Sequence, residues 1–198
     1  MAFVSGAGVG GRQSSLAKSA RGRVHAQRHV VRMAKGVDFE SMDGSELRVG
    51  IVYAKWGKEM ISALVKDAKS SLLECKVKDE NIVEVEVPGS FELPIAARFM
   101  AMTQKLDAVI CCGVLIKGET DHYEYIAQAV SSGLMSLQLQ TGIPMIFGVL
   151  TCPEESHALA RSTGDKSHAK EWGMTAIQMA LFRKSQIVTP KEKKVGFT

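Results

Sequence analysis

The stretch Ala108-Val109-Ile110-Cys111-Cys112-Gly113-Val114-Leu115-Ile116, followed by Lys117-Gly118-Glu119-Thr120-Asp121-His122, decides how the rest of the chain reads. Its first part is an apolar run without a charge, the pattern of a strand buried on both faces. Gly118 then allows a sharp turn off the strand. Thr120 or Asp121 can cap a following helix, and Asp121 with Glu124 has capping-box spacing. Asp121 to Gln140 reads as that helix. A strand running straight into a helix is the repeating unit of a parallel α/β sheet.

The same alternation extends in both directions. Leu47 to Ala54 is a short apolar run of strand type, and Lys58 to Glu74 repeats apolar residues at helical spacing (Met60, Ile61, Leu64, Val65, Ala68, Leu72). Ile82 to Val87 alternates apolar residues with acids, Phe91 to Gln104 reads as a helix, and Pro144 to Leu150 is a further apolar strand. Glu154 to Ser162 and Glu171 to Lys184 complete the set as helices. These segments predict an α/β fold: a three-layer αβα sandwich, flavodoxin-like, around a parallel four-stranded sheet.

The ends of the chain read differently from its body. Residues 1–34 carry six basic residues, several serines and no acid, the composition of an organelle transit peptide. Val31-Arg32-Met33-Ala34 resembles the end of a plant or algal plastid transit peptide, so the expected address is the chloroplast stroma after cleavage near Ala34, with the mitochondrion as alternative. Residues 35–46 form a linker or N-terminal arm, 47–185 the domain, and 186–198 a basic tail containing Lys191, Lys193 and Lys194. The net charge of +4 belongs to the leader; the remaining 19 basic residues face 21 acids, which argues against a nucleic-acid partner. No run approaches the roughly 18 apolar residues of a membrane span. Cys75, Cys111, Cys112 and Cys152 form no C-x-x-C pair, so no zinc or thioredoxin-like site is expected, and reduced thiols are.

In parallel α/β sheets, ligands bind beyond the carboxyl ends of the strands. Four segments fall there: Lys55-Trp56-Gly57, Pro88-Gly89-Ser90-Phe91-Glu92, Lys117 to His122, and Thr151-Cys152-Pro153. A helix starting near Asp121 would present free N–H groups to an anion. The same field would keep His122 neutral and able to accept a proton, unless His122 merely decorates the helix start. Trp56, Phe91 and Phe147 are either core residues or stacking surfaces, and the polar or small neighbours of Trp56 favour exposure. Arg161, with Lys166, His168 and Lys170 close behind, is either a solvated basic face or a phosphate site. On these residues alone, the chain is an α/β domain that binds a planar ring and an anion.

Three stretches add a family resemblance. Val87-Pro88-Gly89-Ser90-Phe91-Glu92-Leu93-Pro94, Gly113 to Glu124, and Ile143 to Thr151 resemble the signatures of 6,7-dimethyl-8-ribityllumazine synthases, with matching spacings between them. The resemblance spans roughly Leu47 to Phe182. It implies condensation of 5-amino-6-(D-ribitylamino)uracil with 3,4-dihydroxy-2-butanone 4-phosphate, the penultimate step of riboflavin biosynthesis, without cofactor or metal. It implies that Trp56 stacks on the pyrimidine, that Ser90, Phe91 and Glu92 hold the ring and ribityl hydroxyls, and that Val114, Leu115 and Ile116 line the uracil pocket. Glu119, Thr120 and Arg161 would hold the butanone phosphate, His122 would shuttle protons, and Phe147 would reach a neighbouring subunit's site. The implied assembly is a homopentamer, or an icosahedral shell of twelve pentamers.

The chain departs from the family pattern in places. Lys55 and Gly57 stand where the family carries Arg and Asn. The run Ser162 to Lys170 is one residue short and leaves His168 or Lys170 as the second phosphate contact. The tail from Lys191 is an addition. The competing function is a catalytically silent flavin- or lumazine-binding protein on the same fold.

Overall fold

The computed structural model describes residues 39–187; the expected leader and all but the first two residues of the expected tail lie outside the described residues. Four strands, β1 (Val49–Ala54), β2 (Ile82–Val87), β3 (Ala108–Ile116) and β4 (Met145–Cys152), pair in parallel in the order β2-β1-β3-β4. Five helices connect and flank them: α1 (Lys58–Glu74), α2 (Leu93–Thr103), α3 (His122–Thr141), α4 (Glu155–Ser162) and α5 (Ala169–Ile187). The expected parallel, doubly covered sheet is therefore the observed one.

The two-residue period of a strand divides the core into two halves. On β3, Ala108, Ile110, Cys112 and Val114 pack with α1, α4 and α5, whereas Val109 and Cys111 pack with α2 and α3. Both faces are buried, which is why this strand carries no charge. The helices contribute matching apolar stripes, Leu64, Ala68 and Leu72 on α1 and Val130, Leu134 and Leu137 on α3. Each large aliphatic side chain so buried contributes roughly 1.5–3 kcal/mol of transfer free energy. Where α5 crosses α1, a side chain at Gly173 would overlap the hydroxyl of Ser71, so a glycine is required for the two helices to approach this closely. The edge strand β2 keeps its acids outward, and Lys69 of α1 bridges Glu84 and Asp79 at 3.0 and 2.8 Å.

The pole opposite the strand ends is closed by Asp107, just before β3. Its carboxylate accepts the backbone N–H of Arg48 at 2.9 Å and lies 3.5 Å from the ammonium of Lys184 on α5. Lys184 also donates to the carbonyl of Glu46 at 2.7 Å, and Arg183 to that of Gly142 at 2.7 Å. Gly142 itself ends α3 in the left-handed region at φ 63, which glycine adopts without steric penalty.

The boundaries differ from the sequence expectation where tertiary pairing overrides local pattern. β4 runs two residues further, through Thr151 and Cys152, because Leu115 and Ile116 of β3 remain available to pair with them. Helix α5 starts at Ala169 rather than Glu171 and continues through Gln186 and Ile187, into the segment assigned to the tail. Short 3₁₀ turns at Asp79–Asn81 and Gly164–Lys166 were not expected; three-residue turns carry no periodicity to read.

Candidate active site

Three strand ends build one cavity. After β1, Gly57 sits in the left-handed region at φ 78 and starts α1. Glycine and asparagine are the residues that reach this conformation most readily, so Gly57 keeps the backbone that an asparagine would supply. The N–H of Lys55 donates to the carbonyl of Val87 at 2.8 Å, tying this loop to β2. Trp56 in this loop is 59% exposed.

After β2, Ser90–Glu92 form a 3₁₀ turn that leads into α2. Ser90 is buried because Gly113 on β3 makes room for it; a Cβ there would lie 2.6 Å from the Ser90 hydroxyl oxygen. Phe91 is 58% exposed, and the Glu92 carboxylate folds back over Gly89.

After β3, the backbone turns through Gly118–Asp121 into α3, whose first residue is His122. The capping box expected of Asp121 and Glu124 does not form, and no side chain caps α3. Asp121 has φ −74 and ψ 4, near helical, whereas a capping residue needs an extended backbone for its side chain to reach the next turn. Glu124 instead meets Lys117 at 2.6 Å. The hydrogen bond between them raises the lysine pKa and lowers that of the glutamate from their ordinary values. The N–H groups of His122 and Tyr123 in the first turn of α3 have no acceptor within the helix and are thus left available to an anion.

The cavity enclosed by these three segments measures about 630 Å³, a size suited to a small organic ligand. It brings together nine of the residues singled out from the sequence: Trp56, Ser90, Phe91, Glu92, Val114, Leu115, Ile116, Thr120 and His122. Glu119 belongs to the same loop but does not line the cavity. Tyr123 and Ile126 also line it and were missed. Ile126 was discoverable, since four residues beyond His122 is the same face of a helix.

Phe147 and Arg161 lie elsewhere. They line a second cavity of about 340 Å³ at the end of the edge strand β4, together with Thr151, Cys152, His157, His168 and Trp172. Phe147 is 41% exposed there. Arg161 Nη1 donates to the carbonyl of His157 at 3.0 Å, and the N–H of His168 donates to the carbonyl of Arg161 at 3.1 Å. His168 faces this cavity, and Lys170 does not.

The thiols offer no nucleophile to either cavity. All four cysteines are buried and free. Burial pushes Cys112 up to about 12 and Cys111 well above the ordinary thiol range. Burial also raises Cys152, although the Arg161 charge opposes the shift. Among the described residues, no group of His, Cys, Asp and Glu could hold a metal ion, and no helix is long and apolar enough to cross a membrane.

Comparison with known proteins gives this geometry a context. A family model described as 6,7-dimethyl-8-ribityllumazine synthase matches residues 46–184. A Pyricularia oryzae protein named 6,7-dimethyl-8-ribityllumazine synthase is 40% identical over 76% of this chain and 94% of its own length. A Schizosaccharomyces pombe protein of the same name is 45% identical over 74% of this chain and 94% of its own. An Arabidopsis thaliana protein named 6,7-dimethyl-8-ribityllumazine synthase, chloroplastic, is 37% identical over 69% of this chain and 61% of its own length.

Proposed function

The chain belongs to the 6,7-dimethyl-8-ribityllumazine synthase family, and from that premise we propose how its two cavities divide the reaction. The activity is that of a transferase of riboflavin biosynthesis, which condenses 5-amino-6-(D-ribitylamino)uracil with 3,4-dihydroxy-2-butanone 4-phosphate to 6,7-dimethyl-8-ribityllumazine. The larger cavity takes the pyrimidine. Trp56 offers an exposed aromatic face, Val114 to Ile116 give a partly apolar wall, and Ser90 with Glu92 supplies polar groups for the ring and the ribityl chain. Thr120 and the uncapped start of α3 receive the butanone phosphate at the rim.

The chemistry asks little of the protein beyond placement and proton transfer. The exocyclic amine attacks the ketone and loses water to an imine. Phosphate leaves, the enol tautomerises, and the ring closes with loss of a second water. Every step moves protons, and His122 relays them; its position at the head of α3 and on the cavity wall supports this role. Holding the two substrates together supplies much of the remaining rate.

Within one chain, Arg161 and Phe147 are separated from His122. A phosphate bound beside His122 has no guanidinium from the same cavity. We infer that the smaller cavity of one copy completes the larger cavity of the next. Helix α2 and the turn before it carry Phe91, Ile95, Phe99 and Met102 along one exposed face, each roughly half exposed or more. An apolar stripe of this kind on a soluble domain marks a subunit contact. The assembly is a pentamer, and the short Ser162 to Lys170 run raises no obvious bar to a shell of twelve pentamers. Light scattering separates a free pentamer of about 100 kDa from a shell of about 1 MDa, and an active monomer contradicts both.

The name of the Arabidopsis relative and the acid-free leader support a plastid address, with cleavage near Ala34. A fluorescent fusion of residues 1–34 should enter plastids; a diffuse cytosolic signal rules this out. Turnover itself is tested by mixing the full chain with both substrates and following lumazine fluorescence and phosphate release together. Tight lumazine binding without turnover would mark a silent binding protein instead.

A further inference from the structure

We propose that the Lys117–Glu124 ion pair is a positioning strap that holds the Gly118–Asp121 loop, and through it the head of α3, in the geometry the butanone phosphate and His122 require. This rests on the assignment of that loop to the phosphate. The pair spans the loop end to end, from the first residue after β3 to the first turn of α3, with 2.6 Å between Nζ and Oε1. Its lysine end is anchored, because the backbone N–H of Lys117 donates to the carbonyl of Cys152 at 3.0 Å. The loop between has little else to hold it. Gly118, Glu119, Thr120 and Asp121 are all exposed. Among the described residues, their side chains make no hydrogen bond, and Asp121 does not cap the helix.

Neither member of the pair lines the cavity, whereas Gly118, Thr120 and His122 do. Lys117 and Glu124 therefore act through the loop and not on the substrate. A loose loop must be ordered when its backbone N–H groups close on an anion, and that ordering weakens binding. It also blurs the placement of His122, to which proton transfer is sensitive. The pyrimidine, seated against Trp56 and the turn after β2, is spared. The pair is half-exposed, so its effect is of modest size.

The test is a double-substitution cycle in the full chain: Glu124→Gln, Lys117→Met, both together, and Lys117→Arg. Steady-state kinetics are read against each substrate, and amide exchange is followed over residues 125–128, the first hydrogen-bonded N–H groups of α3. Each single substitution should raise the Michaelis constant for the butanone phosphate about two- to fivefold, the range of an exposed ion pair, and leave that for the pyrimidine unchanged. Both should speed exchange at the head of α3, where the loop feeds the helix. The double variant should match either single one, and Lys117→Arg should match the wild type. Suppose instead that Lys117 acted by its charge on the phosphate. Glu124→Gln would then lower the Michaelis constant and Lys117→Met would raise it, which would overturn the strap. Unchanged exchange at the head of α3 in both single variants would overturn it as well. That readout stands even if the wild type fails to turn over, a result that would count against the synthase assignment alone.

Discussion

Leu115 and Thr151 face each other in the β3–β4 ladder, yet Leu115 lines the larger cavity and Thr151 the smaller. The two cavities therefore belong to one edge of one sheet and are divided at adjacent strands. Parallel sheets put all their ligand-binding loops on this edge. What the single chain does not do is bring its phosphate-binding arginine candidate into the cavity that holds its proton-relay candidate.

If His122 relays protons, its loss should be felt without abolishing the reaction. His122→Ala is expected to slow turnover about 10- to 100-fold, the low end of general acid–base effects, because substrate placement survives. The Michaelis constants should change little. Turnover at the wild-type rate would remove His122 from the mechanism.

The smaller cavity makes a separate prediction about substrate discrimination. Arg161→Ala should raise the Michaelis constant for the butanone phosphate by about tenfold or more and leave the pyrimidine constant near wild type, since one charge-assisted phosphate contact is lost. His168→Ala should act in the same direction and Lys170→Ala should not, because His168 lines that cavity and Lys170 does not. Equal effects on both substrates would make Arg161 a structural residue.

The buried thiols predict a loss of stability in alkali. Cys112 titrates near 12 in the folded chain against an ordinary value of 9.0, so the folded state keeps a proton that the unfolded state gives up. The contribution is complete below about pH 9 and is lost as pH rises toward 12. Between pH 8 and 10 this one group should cost about 1 kcal/mol, seen as a falling urea midpoint that is shallower in Cys112→Ala. Below pH 9, neither Cys111 nor Cys112 should react with a thiol reagent until the protein unfolds, because the thiolate is the reactive form.

The fold was legible because both of its periods were strong. The charge-free run Ala108 to Ile116 could be buried on both faces only by helices on either side, and the helical stripes of α1 and α3 supplied them. The walls of the larger cavity followed from the rule that strand ends bind ligands. Two things were not legible. Glu124 has capping-box spacing from Asp121, but its choice of Lys117 depends on where the end of β3 points, which only the folded sheet determines. The parting of Phe147 and Arg161 from His122 depends on β4 being the edge strand, and strand order is not written in local pattern.

If one reaction centre is assembled from two copies, two differently impaired chains should complement each other. His122→Ala and Arg161→Ala chains would be unfolded together in equal amounts, refolded, and assayed against each alone with butanone phosphate held well below its wild-type Michaelis constant, where both single variants are slow. In a ring where each site takes His122 from one copy and Arg161 from the next, random mixing restores wild-type pairs at about a quarter of the sites. The mixture should recover toward about a quarter of the wild-type rate, well above either variant alone. No recovery in a mixture that assembles like the wild type would contradict it and put both residues at one site within a single chain.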